Sequence, residues 1–164
     1  MRETSQLIVS VDEYLNTDWV PRCEYIDGVL RPKALGTKPH GRMQVSLCNA
    51  LAARGWDATP ELTLRVGVSR FLVPDVAADP NPLASPYPDT PIALCIEILS
   101  PGDRLSGALA KCEEYHDWGV PHCWVINPIE PRAWIYDRGS GPVEIAVEGR
   151  LTAANLEIPL KELY

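Results

Sequence analysis

Two carboxylates in this sequence stand where a carboxylate is costly. Asp75 lies in the run FLVPDVAA and Glu97 in ALCIEILS. An ionised acid inside such apolar surroundings must be paired, protonated or bound to a metal. The stretch between them consists mostly of strand ends and a proline-rich loop, so the two acids can come from adjacent strands and converge. Converging carboxylates suit a hard divalent cation such as Mg²⁺ or Mn²⁺. Glu24, in CEYIDG, is a candidate outer ligand. A metal-bound phosphodiester also needs a positive group near the attacking water, and Lys111, on the helix expected after the Glu97 strand, is the candidate. Simpler readings stay open. Each acid could form a salt bridge with Arg65, Arg70 or Arg104 or sit at a strand end, and Lys111 could be an exposed helix lysine beside Glu114.

The elements that must position these groups follow from local pattern. Ser10 and Glu13 form an S-x-x-E capping box ahead of Val11, Tyr14 and Leu15, which predicts a short helix ended by Trp19, Val20 and Pro21. Asp27-Gly28 between two alternating segments predicts a hairpin over Arg22 to Arg31. Apolar residues at three- and four-residue intervals predict a helix from His40 to Arg54, with Gly55 as its stop. Glu61 to Val66 and Phe71 to Ala77 read as strands. Five prolines between Asp79 and Pro91 make that segment a loop. Ile92 to Leu99, apolar but for Glu97, reads as a strand buried on both faces. A helix over Leu105 to Trp118, a strand over His122 to Ile126 and a hairpin over Arg132 to Asp137 and Pro142 to Val147 complete a mixed α/β order, with no repeat and no linker to divide it.

With 164 residues, 46% hydrophobic and 23% charged, the chain has the length and composition of one globular domain. No apolar run is long enough to span a bilayer, and the N-terminus MRETSQLIVS has no signal-peptide pattern, which predicts a cytoplasmic protein. Cys23, Cys48, Cys95, Cys112 and Cys123 are odd in number, widely spaced and mostly in apolar stretches, and so read as reduced core thiols. The formal net charge of −7 argues against a surface coated for phosphate binding. Arg31, Lys33, Lys38, His40 and Arg42, with no acid among them, are either a local basic patch for substrate or a solvated loop.

In order along the chain, EYLN, YIDGVL, PHGRMQ, VPDV, IEILSPGDR, K-x-x-x-Y and GVPHCWVINP resemble the Uma-type endonuclease family, domains grouped with restriction endonucleases in the PD-(D/E)xK superfamily. The resemblance implies a restriction-endonuclease-like core, a mixed central sheet flanked by helices, that binds one or two divalent ions and cleaves nucleic acid, with DNA the expected substrate. By position it places the metal-binding aspartate on Asp75, the second acid on Glu97 and an early acid on Glu24. The lysine two residues beyond the second acid would fall on Leu99, which cannot serve; the family's lysine on the following helix falls on Lys111. The backbone carbonyl of Ile98 would complete the metal ligands. His40 matches a recurrent family residue with a capping or phosphate-contact role, and Lys38 and Arg42 beside it are candidate substrate contacts. Asn127 departs from the family's usual aspartate in VDP. The implied products are a 5′-phosphate and a 3′-hydroxyl, and superfamily habit suggests a homodimer. The rival expectation is a nuclease fold that has lost turnover and serves as a DNA-binding or assembly module.

Overall fold

The architecture is built on an abrupt break at Pro74-Asp75. A computed structural model describes residues 8–164; residues 1–7, which carry part of the N-terminal pattern read in the sequence, lie outside the described residues. Helix α1 (Val11–Leu15) begins where the Ser10 hydroxyl accepts the Glu13 N–H at 3.1 Å. It is capped at Asn16, earlier than Trp19 to Pro21 suggested, because the Asn16 side chain and backbone N–H both close on the Asp12 carbonyl. Strands β1 (Cys23–Ile26) and β2 (Val29–Pro32) form the expected hairpin, and Asp27 and Gly28 both have positive φ, as a two-residue turn that matches strand twist requires. Helix α2 (Lys38–Ala52) starts slightly before the expected His40, at a cap made by Thr37.

The segments from Glu61 to Ala77 depart from their sequence pattern. Strand β3 (Asp57–Pro60) is an element that periodicity did not mark. Glu61 then takes a left-handed conformation, φ 53°, which ends β3 and delays the next strand, β4, to Leu64–Gly67. The run Phe71 to Ala77 is two strands, β5 (Arg70–Leu72) and β6 (Val76–Asp79), in different sheets. Pro74 has no N–H to give a ladder, so a break there is inexpensive.

One sheet is antiparallel, in the order β2-β1-β5-β4. The other holds β7 (Leu94–Ile98), β8 (His122–Ile126), β9 (Ala133–Asp137) and β10 (Val143–Ile145), in the order β10-β9-β8-β7-β6-β3. Within it β7 and β8 are parallel, joined by helix α3 (Leu105–Trp118), and their neighbours are antiparallel, so the sheet is mixed. A terminal hairpin, β11 (Arg150–Ala153) and β12 (Leu156–Pro159), and a 3-10 helix at Leu160–Leu163 follow.

Strand alternation sorts the core into two layers. Ile96 and Ile98 pack with Met43, Leu47 and Leu51 of α2 and with the terminal hairpin. Ala77 and Cys95 pack on the other face with Cys112 and Tyr115 of α3. All five cysteines are free, four of them buried. Among the described residues no helix is long and apolar enough to cross a membrane.

Candidate active site

Alternation along β7 carries Glu97 to the same face as Cys95, toward α3. The β6–β7 register pairs Val76 with Ile96 and Ala77 with Cys95, and continued by one step it sets Asp75 opposite Glu97. Residues opposite one another in a ladder point to one face. Both acids therefore line a single cleft of about 700 Å³, together with Glu24, Lys33, His40 and Lys111.

The carboxylates are buried and held by named partners. Asp75 Oδ2 accepts the Ile98 N–H at 2.7 Å and faces His40 Nε2 at 3.3 Å, and its Oδ1 is 2.9 Å from Lys33 Nζ. Glu24, only 2% exposed, accepts the Val73 N–H at 2.9 Å and pairs with both Arg31 and Lys111 at 2.9 Å. Glu97 Oε1 takes the Tyr115 hydroxyl at 2.6 Å and Lys111 Nζ at 3.0 Å. The salt-bridge partners that sequence offered, Arg65, Arg70 and Arg104, are not the ones used.

Lys111 thus leaves its helix toward the acids and bridges Glu24 to Glu97. Position 111 lies one helical turn before Tyr115, and the two share one face. Desolvation opposes the lysine's charge, but Glu97 and Glu24 outweigh it and hold its pKa above the usual range. The acids split. For Asp75, burial favours the neutral form, yet the hydrogen bond from His40 and the charge of Lys33 prevail and its pKa falls well below the carboxylate range. For Glu97, burial and the charge of Asp75 prevail over Lys111 and Lys33, and the pKa rises. The two neighbouring carboxyls are thus pushed in opposite directions.

The family described as "Uma2: Putative restriction endonuclease" matches residues 11–161. The chain belongs to the Uma2 family. The crystal structure of "a putative nuclease belonging to DUF820 from Anabaena variabilis" is similar in fold, with a TM-score of 0.77 at 20% identity over 94% of this chain and 97% of that one. No curated protein matches the chain.

The expected substrate contacts of this Uma2 chain separate in space. His40 faces inward onto Asp75, and the Asp75 contact raises its pKa, although Thr37 also uses its backbone N–H as a cap contact. Lys38 and Arg42 are exposed on α2 and do not line the cleft. The cations of the basic run that reach it are Arg31, bound to Glu114 through two nitrogens at 3.0 and 3.1 Å, and Lys33. Helical geometry explains the division: Lys38 and Arg42 are four apart on an outward stripe, whereas Arg31 and Lys33 are carried in by the hairpin and the chain just after it. The sequence reading also missed Tyr115, Gln44 and Glu61. Tyr115 was visible in the K-x-x-x-Y spacing and Gln44 closes the PHGRMQ motif; Glu61 had no signal, since a chain reversal decides where it meets Asp75.

Proposed function

We propose that this Uma2 chain hydrolyses phosphodiester bonds of nucleic acid, DNA being the expected substrate, in a reaction that depends on Mg²⁺ or Mn²⁺. The observation that carries this reading is the convergence of Asp75, Glu97, Glu24 and Lys111 in one cleft of a protein whose family is described as "Putative restriction endonuclease".

The donor set fits Mg²⁺. Among the described residues no three His, Cys, Asp or Glu side chains are grouped to hold a metal by themselves. Mg²⁺ seldom asks for that: it is commonly held by one or two carboxylates, the rest of its shell being water and substrate phosphate. Asp75 and Glu97 would supply those carboxylates and the Ile98 backbone carbonyl a further oxygen; Glu97 Oε1 is engaged by Tyr115 and Lys111, whereas Oε2 has no such partner among the described residues. A bound divalent ion supplies positive charge against a phosphoryl oxygen and lowers the pKa of water.

The protein's own groups do the positioning. Asp75 is aimed by the Ile98 N–H and His40, and kept ionised by them and by Lys33. Lys111, anchored on Glu24, holds positive charge beside Glu97, where it can orient the attacking water and stabilise charge developing on the phosphoryl group. Arg31 and Glu114 fix the position of Glu24 from the far side. Cleavage of supercoiled plasmid should require Mg²⁺ or Mn²⁺, stop with chelator and be lost in Asp75→Asn and Glu97→Gln. At a hundred times its dissociation constant either ion should stabilise the wild type by about 2.7 kcal/mol. Melting indifferent to both ions, with no cleavage of DNA or RNA, would sink the metal-dependent reading and leave the rival, a non-catalytic binding module.

A further inference from the structure

Lys33 sits in a cage of oxygens that resembles a cation site more than a salt bridge. Its ammonium donates to the Val73 carbonyl at 2.6 Å and to Asp75 Oδ1 at 2.9 Å, and lies 3.2 Å from Glu61 Oε2. The side chain is 12% exposed. The third oxygen of the cage is held in place: Glu61 has a left-handed backbone, φ 53°, and its other oxygen accepts Gln44 Nε2 at 2.9 Å. Gln44 Nε2 also donates to the Asp75 carbonyl at 3.1 Å, so the same side chain ties Glu61 to Asp75. Left-handed conformation at a residue other than glycine costs energy and persists only where the surroundings enforce it.

Asp75 has one oxygen turned to the backbone of β7 and one turned to Lys33. A divalent ion bound at Asp75 would have to share Oδ1 with an ammonium at hydrogen-bond distance, and like charges that close repel strongly in a partly buried site. We propose that Lys33 is a resident cation that competes with the divalent ion: the ion takes the Val73 carbonyl, Asp75 and Glu61 oxygens by displacing the ammonium, which is then free for a substrate phosphate in the same cleft. This rests on the metal-dependent reading above and adds Glu61 and the Val73 carbonyl to its donors. The flexible four-carbon stem of lysine permits the movement.

The test is Mn²⁺ binding to the full chain, followed by calorimetry. Lys33→Met should bind Mn²⁺ at least about tenfold more tightly than wild type, because the competitor is gone, while plasmid cleavage falls. Adding Glu61→Gln to Lys33→Met should reverse the gain. A second readout uses the wild type alone and does not depend on the variant's folding: acylation of Lys33, quantified by mass spectrometry, should rise severalfold when Mn²⁺ is added. Equal or weaker Mn²⁺ affinity in a folded Lys33→Met protein, or Lys33 labelling that ignores Mn²⁺ while wild type binds it, overturns the proposal and leaves the metal reading intact. Absence of Mn²⁺ binding in both wild type and Lys33→Met overturns the metal reading, and the competition with it.

Discussion

Cys95 and Glu97 lie two residues apart on one face of β7, under the same helix, and have opposite surroundings. Around Cys95 are Cys112, Cys123 and Tyr115, all buried, and burial drives the Cys95 and Cys123 thiols far from ionisation. His116 stands over this cluster with Nδ1 on the Val120 carbonyl and, among the described residues, no partner for Nε2. Around Glu97 are Lys111, Lys33 and a cleft open to solvent. Three thiols and an imidazole look as potent on paper as three carboxylates and two lysines. The difference teaches that residue type counts only with charge compensation and access. A buried group without an opposite charge is pushed toward its neutral form unopposed; at Glu97 burial still prevails, but Lys111 and Lys33 work against it.

The largest effect expected from this contrast is on turnover. Glu97→Gln or Asp75→Asn should lower metal-dependent cleavage by at least about 10²-fold, the scale on which one preorganised polar group acts, with the circular dichroism of the fold unchanged. Full activity in either variant would erase the distinction between the two regions. Next comes Tyr115→Phe, which removes the hydroxyl that donates to Glu97. Hydrogen bonds to charged groups contribute about 1.5–3 kcal/mol, so melting should fall accordingly. Since the lost donor favoured ionised Glu97, its pKa should rise further, and the acid limb of a pH–rate profile should move to higher pH; a limb that stays in place while stability falls would assign Tyr115 to packing alone.

Cys123→Ala probes the silent side. It opens a methyl-sized void that costs about 1 kcal/mol, and cleavage per folded molecule should not change; a loss of cleavage would mean that the thiol cluster is functional after all. The smallest effect concerns His40, whose pKa is raised by the Asp75 contact. A raised folded value means stability fully present below the unfolded imidazole value of about 6.5 and lost as pH climbs through the higher folded one. Metal-free wild type should therefore lose a little melting temperature across that window relative to His40→Gln. Parallel curves for the two proteins would show that the imidazole charge plays no part in holding Asp75.

Much of this molecule was legible because its signals are local. The box from Ser10 to Glu13, the Asp27-Gly28 turn and the period of Leu105 to Trp118 each depend on neighbours a few residues apart, and each has the predicted structure. Asp75 and Glu97 announced themselves by the cost of a carboxylate in an apolar run, and the family resemblance carried the order of motifs. The sequence could not show that the run Phe71 to Ala77 serves two sheets or that Glu61 turns left-handed beneath Asp75, because each is decided by packing against distant segments. Nor could it choose among the cations. Arg31, Lys33, Lys38 and Arg42 are equivalent as charges along the chain, and only the hairpin and the outward stripe of α2 decide which meet an acid. Charge type is a property of the sequence; charge compensation is a distance, and distances belong to the tertiary structure.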